Sequence, residues 1–441
     1  MTRTRAAGWV PICALIEFAI SCPLLVCLTL TPAAAHAQAT AGATSTPTLS
    51  PDAPAASDSV EQQAAARIAA AVCNKRVVLL GELPEHGEAR GFGVKARVVE
   101  RLVASCGFHT VLFEAGSYDF FGVERALATS TRSSVREDSL DLALARAIGG
   151  FWWTRELGDW RRWLLREAMG RRVVIGGIDD QPSATAAYAR ATLPALVSGA
   201  VPSARAAECQ EAVARHLNFS YTATLPYDST ERARLVDCTR SAADRARVAH
   251  KSAKARTPDD VMLDNLTSYF ARERSTADRG AAAAADRDSI MASNLAWWSA
   301  RLPRDAKIVV WTATTHAARA PNAQSVLPLG VQTLGARVAA QWGDELAVIG
   351  FTALQGQWSR AGRPSQALAP LASDALEARA LAGQTGGDVS KWAYLDTAAL
   401  RALGPVPSRL FGKVVTNDWA TAFDGVLVIR DEVAPTFEPR R

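Results

Sequence analysis

The sequence predicts an α/β fold: a mostly parallel central sheet flanked by helices, with a helical insertion. Short, continuous apolar runs recur along the chain, at Val77–Leu80, Thr110–Phe113, Val173–Ile175 and Ile308–Val310, as expected of strands buried on both faces. The first two runs are separated by a helix-period segment, which makes a β-α-β unit with parallel strands and a right-handed crossover. The runs also lead into carboxylates or a histidine, and in open α/β sheets the chemistry lies beyond the carboxyl ends of the strands.

Arg3 and Arg5 precede an almost uncharged stretch from Ala6 to Thr40, broken only by Glu17 and ending in two A-x-A patterns, Ala35-His36-Ala37 and Ala37-Gln38-Ala39. Residues 1–39 therefore read as a secretory signal peptide. A retained membrane anchor is the competing reading, and Glu17 argues against it, because an acidic group in hydrocarbon costs a few kcal/mol. Residues 40–60 are Ala, Thr, Pro and Ser with almost no bulk, a flexible linker that cannot offset its ordering entropy. Residues 61–441 form the folded part, expected in the periplasm or secreted and with no membrane span after signal removal. The formal charge of +5 over 441 residues is small and spread over helices, which gives no case for nucleic acid. Oligomeric state is left open.

Cys13, Cys22 and Cys27 depart with the signal, leaving Cys73, Cys106, Cys209 and Cys238. An even number in an exported protein permits two disulfides. Cys73 and Cys106 precede the first two strands; if those strands are neighbours, the two cysteines share one end of the sheet and pair, and Cys209 pairs with Cys238. No C-x-x-C pair suggests zinc.

A helix over Glu61–Ala71 leads into the first strand, which breaks at Gly81 and is followed by Glu82, Glu85, His86 and Glu88. Gly91–Ser105 is a helix with Val94, Val98, Val99, Leu102 and Val103 as its apolar face. The second strand, His109–Glu114, also ends acidic; as a neighbour of the first it would bring two glutamates within about 5 Å. Helices over Gly122–Ala128 and Leu140–Ile148 precede the aromatic cluster Phe151–Glu156, which is expected to continue as a helix through Trp160 and Trp163. Trp152 or Trp153 is expected to wall an apolar cleft, and Arg155 to pair with a strand-end glutamate.

The third strand ends at Asp179 and Asp180. Residues 185–283 form the mostly helical insertion, a candidate lid; His216 and His250 within it read as structural. The helix over Asp286–Trp298 buries Ile290, Leu295 and Trp298 and carries Arg287 and Asn294. The fourth strand, Lys307–Trp311, leads to His316 and Arg319; Glu345–Thr352 and Gly425–Arg430 complete the sheet, and residues 360–415 are not ordered by their pattern.

Glu82, Glu85, His86, Glu114, Asp179 and His316 thus gather at strand ends. His86 is suited to take a proton from water, with Glu82 or Glu114 fixing its tautomer, and His316 and Arg319 to stabilise an oxyanion or protonate a leaving group. No G-x-S-x-G elbow is present, which favours activated water over an acyl-enzyme. No cofactor is expected. The same donors also form a ligand set for a divalent metal, and spacing does not choose between the two. A periplasmic module that binds a ligand without turning it over is the alternative reading.

The order of motifs resembles the erythromycin esterase family: Leu80-Gly-Glu82 with His86-Gly87, Phe113-Glu114-Ala115, Trp152–Glu156, Gly177-Ile-Asp179, Arg287–Met291 with Asn294, and Val310-Trp311 leading to His316. The resemblance implies an α/β core with a helical insert and hydrolysis of an ester or lactone in a small, macrolide-like molecule, with a possible part in antibiotic resistance. It assigns His86 as the base, Glu82 and Glu114 as its partners, His316 as a second essential histidine and Arg155 as a site arginine. Three departures stand out. Glu82 to His86 is four steps, longer than the family's spacing, so Glu85 competes for the role. Glu88 lies closer to the histidine than the family's glutamate, whose more distant place is taken by Arg90. Ala313 stands where the first histidine of a His-Asn-x-His pattern belongs.

Overall fold

The computed structural model describes residues 56–129, 134–249, 256–273, 281–319, 332–383 and 391–439. The signal peptide, residues 40–55 of the linker and His250 lie outside them; residues 56–60, expected as linker, instead open the helix Ala56–Val72. Ten strands are present among the described residues: β1 (Val77–Glu82), β2 (Phe108–Gly116), β3 (Val174–Asp179), β4 (Lys307–Ala313), β5 (Leu346–Trp358), β6 (Gln366–Ala367), β7 (Trp392–Asp396), β8 (Val406–Ser408), β9 (Val415–Asn417) and β10 (Gly425–Glu432). The central sheet has the order β3-β2-β4-β1-β5-β10-β7, parallel except for β7; β6 pairs antiparallel with the end of β5, and β8 with β9 forms a separate antiparallel pair.

Both faces of the sheet are covered, which is why its strands read as unbroken apolar runs. Val77 and Leu79 face a core shared with the insertion helices, while Val78 and Leu80 face a core built on the helices Ala56–Val72, Ala89–Cys106 and Gly158–Met169. The insertion holds helices Ala187–Ala200, Ala206–Leu217, Ser229–Ala249 and Pro258–Glu273, as expected. His216 is buried among Tyr227, Tyr269 and Phe270, a structural position.

Several expectations are corrected. β1 and β2 are not neighbours: β4 lies between them, paired in parallel with both. Local pattern could not reveal this, because the separating strand is remote in sequence. The pairing of cysteines holds all the same. Cys73 and Cys106 sit at disulfide distance beneath the start of β4, and Lys307 Nζ donates to both of their carbonyls, at 2.7 and 2.9 Å. Cys209 and Cys238 also lie at disulfide distance. β1 does not stop at Gly81 but carries on to Glu82, since a residue without Cβ lets the helix Thr314–Ala317 pack directly on it; a Cβ there would meet Thr314 Cα at 2.9 Å. Phe151–Leu157 is a turn and loop, and the helix begins only at Gly158. Ile290 is only partly buried, and Met291 takes the core position on the helix Ala281–Arg301.

Candidate functional site

Glu82 is the last residue of β1 and is buried, and both of its carboxylate oxygens are met by polar partners. Its Oε1 accepts from Trp152 Nε1 at 2.6 Å and lies 2.7 Å from His86 Nδ1; its Oε2 accepts from Lys95 Nζ and Trp311 Nε1, both at 2.8 Å. Burial alone would raise the pKa of this carboxyl, but the Lys95 ammonium and the His86 contact outweigh it and hold Glu82 below the usual 4.5. Lys95 is wholly buried, packed 4.4 Å from the centre of the Trp311 ring, and burial pushes its ammonium down to about 8 against the pull of Glu82.

His86 follows in a tight turn, its N–H donating to Leu83 O at 3.0 Å, with φ at +53°, a conformation uncommon outside glycine. Strain of this sort persists only where surrounding contacts enforce it, and here the ring stacks near Phe151, 4.6 Å between centroids, and against the edge of Trp152. Because Glu82 accepts at Nδ1, the proton belongs there, and Nε2 is left with its lone pair facing Glu114 Oε1 across 4.0 Å.

Glu114, on β2, is reached through β4. Its Oε2 accepts from Thr312 Oγ1 at 2.7 Å and from the N–H of Ala313 at 2.8 Å. Its Oε1 takes Arg287 Nη2 at 3.0 Å and lies 3.2 Å from His316 Nε2. Burial opposes the charge on Glu114, but His316 and Arg287 hold it well below the usual carboxylate range. Arg287 also grips Asp179, with Nη2 to Oδ2 at 2.7 Å. Asp180 instead takes a two-pronged bond from Arg272 of the insertion, at 2.6 and 2.7 Å.

His316 Nδ1 lies 2.5 Å from Asp288 Oδ1, and its Nε2 stands between a donor, Arg287 Nη1 at 3.0 Å, and an acceptor, Glu114 Oε1. A neutral ring accepts from the arginine; a protonated one donates to the glutamate. Burial disfavours the cation, but the Glu114 and Asp288 carboxylates outweigh that and raise its pKa above the usual 6.5. His86, Glu114, Asp179, Arg287 and His316 all line one cavity of about 550 Å³, rimmed by Phe151 and Arg360. The volume suits a small organic ligand.

Other expected site residues fall elsewhere. Arg155 is exposed and pairs with neither glutamate; Lys95 and Arg287 supply the cations instead. Trp152 does not wall the cavity but stands behind it, holding Glu82, while Trp153 donates to Glu438 at 3.1 Å beside a separate surface cleft. The wall is Phe151, which is 44% exposed. Arg319 is engaged by Asp424, away from the lining. The Glu85 carboxylate lies against Gly412 rather than facing His86. No described residue of the insertion helices lines the cavity; the insertion's contact with the strand end is the Arg272 bond to Asp180. Behind Glu82, Glu88 and Glu432 are also buried; burial and neighbouring carboxylates push Glu88 well above 4.5, and burial pushes Glu432 up to about 7.

Lys95 and Asp288 went unnoticed in the sequence, though a signal existed. Lys95 is followed at helical spacing by Val98, Val99 and Leu102, and Asp288 by Met291 and Leu295, so each charged residue lies on a buried face. Among the described residues no group of three or more His, Cys, Asp or Glu side chains is arranged to hold a metal ion.

The sequence model of the erythromycin esterase family matches residues 103–432, a span that begins after the Glu82–His86 segment. Among solved structures, the chain is similar to a protein from Bacillus cereus (15% identity, covering 88% of this chain and 100% of that one, TM-score 0.62). It is also similar to a histidine-to-asparagine mutant of the erythromycin esterase EreC in its open conformation (17% identity, 85% and 94% covered, TM-score 0.60). A third likeness is to a succinoglycan biosynthesis protein (14% identity, 84% and 92% covered, TM-score 0.58). No curated protein sequence matches the chain significantly.

Proposed function

Because the chain belongs to the erythromycin esterase family, we propose that it is a hydrolase that cleaves a carboxylic ester or lactone with water activated by His86. The observation that carries this reading is the Glu82–His86 contact of 2.7 Å, which fixes the proton on Nδ1 and leaves Nε2 as a base at the cavity surface. Water gives a proton to Nε2 as its oxygen bonds to the carbonyl carbon, and the carbonyl π electrons move onto oxygen. The oxyanion is stabilised from the side of Arg287 and His316. On collapse the C–O bond to the alcohol breaks, and protonated His316 supplies the proton the alkoxide needs. His86 then returns its proton to solvent and His316 takes one back from solvent, so that ester and water become acid and alcohol with the enzyme unchanged.

The lost histidine at Ala313 fits this scheme. The backbone N–H at that position holds Glu114 in place, and the acid–base work falls to the two histidines that remain. The two cysteine pairs at disulfide distance support an oxidising destination, the periplasm or the exterior.

The test is turnover of macrolides, simple lactones and 4-nitrophenyl esters by purified protein, with His86→Ala as control. We expect a loss of about 10²–10⁴ in kcat in the variant, with its fold intact by circular dichroism. Equal rates for parent and variant would sink the proposal; tight ligand binding without turnover would favour a binding module.

A further inference from the structure

We infer that the molecule taken into this cavity carries a carboxylate or similar anionic group, held at the mouth by Arg360 and Arg363. What is cleaved rests on the hydrolase reading above; what is bound does not. β5 is 13 residues long and runs past its partners, its final residues pairing with β6 through Gln357–Ala367 and Trp358–Gln366. The turn between these two strands presents both arginines to the cavity that holds His86 and His316.

This turn is fastened to the His86 loop. Ser359 is buried, and its N–H donates to Gly87 O at 3.2 Å. The approach depends on residue 87 having no side chain, since a Cβ there would meet Ser359 O at 2.2 Å. Arg360 Nε then donates to Glu85 O at 3.3 Å, a neutral partner that fixes the guanidinium without cancelling its charge.

Charge on the lining is unbalanced. Both lining carboxylates, Glu114 and Asp179, are already paired with Arg287. The Glu85 carboxylate is turned toward Gly412. Among the described residues neither Arg360 nor Arg363 is in an ion pair. Two exposed, uncompensated guanidiniums on one wall of a cavity match the fork geometry of an anion and offer a neutral ligand nothing comparable. Their exposure keeps the gain modest, about tenfold for the pair.

The test uses matched ligands. Binding of N-phenylglutaramate (anionic, amide-stable) and of N-phenylbutanamide (neutral) is measured by calorimetry with the parent and with the Arg360→Gln/Arg363→Gln double variant, whose fold is checked by melting temperature. In parallel the parent is given 4-nitrophenyl hemiglutarate and 4-nitrophenyl butyrate. The expected result is about a tenfold preference for the anionic amide in the parent, shrinking toward parity in the double variant and in high salt. Undetectable binding of the anionic amide, no preference in the parent, or a preference that survives in the variant overturns the inference. If the binding preference holds but neither ester turns over, the anion site stands and the hydrolase reading fails; if both esters turn over equally and binding shows no preference, the reverse is true.

Discussion

Replacing Lys95 with methionine isolates the interaction that keeps the base loop in order. The ammonium lies 2.8 Å from Glu82 Oε2, and both groups are buried. At an effective dielectric near 20 the gross attraction is about 6 kcal/mol. Much of it offsets the cost of burying the two charges, so the informative quantity is what remains when one partner is removed. Lys95→Met leaves Glu82 with its bonds from Trp152, Trp311 and His86 but without its cation. Breaking a buried pair from one side costs about 3–5 kcal/mol.

The pH dependence should change sign. In the parent the Glu82 pKa lies below 4.5, so its contribution is present above 4.5 and is lost as pH falls through the folded value. Burial is already the largest single influence; without Lys95 the remaining contacts no longer outweigh it, the folded pKa is expected to rise above that of the unfolded chain, and stability then falls as pH climbs past 4.5. Urea unfolding of Lys95→Met, Glu82→Gln and the double variant at several pH values forms the assay. The expected coupling between the two sites is at least about 2 kcal/mol, with the double variant much closer to the parent than the singles predict. A single-variant loss under about 1 kcal/mol, additive with Glu82→Gln, would refute the reasoning.

Glu88→Gln should show a linear gain with pH. The buried Glu88 holds its proton while the unfolded chain loses it, so from 4.5 upward the parent should fall behind the variant by about 1.4 kcal/mol per pH unit until Glu88 itself ionises; a difference in stability that stays flat between pH 5 and 7 would contradict this. The Cys73→Ser/Cys106→Ser variant should lose about 3–4 kcal/mol, the loop-closure term for a sequence separation of 33. Urea melts of oxidised parent and variant measure it, and a loss under about 1 kcal/mol would mean the pair is not closed.

What the sequence made legible follows from the range of the forces involved. Apolar runs and strand-end carboxylates are local, so Glu82, His86, Glu114, Asp179 and His316 are legible in the sequence and gather at the carboxyl end of the sheet, Glu82 behind the cavity that the other four line. Partners were not. Arg155 sits beside the aromatic cluster in the chain and was the natural cation for a glutamate, yet the loop turns it to solvent. Lys95 and Arg287 do that work from helices whose register only tertiary packing sets. Trp152 was identified as a wall and proved to be a hydrogen-bond donor behind one. The turn bearing Arg360 lay in a stretch whose pattern has no period, because its place depends on a backbone contact at Gly87.

Lys307 follows Cys73 by 234 residues and Cys106 by 201, so the strand that parts β1 from β2 is supplied from far along the chain. Without β4, β1 and β2 would each leave a strand edge unpaired in the middle of the sheet. Glu114 depends on that same strand, because Thr312 and Ala313, which donate to it, belong to β4. The site is thus tied to pairings between strands remote in sequence, Val77 with Ile308 and Thr110 with Ile308. A closed Cys73–Cys106 bond would span the foot of the gap that β4 fills, clamping together the chain just before β1 and just before β2, with Lys307 fastened to both halves of the clamp.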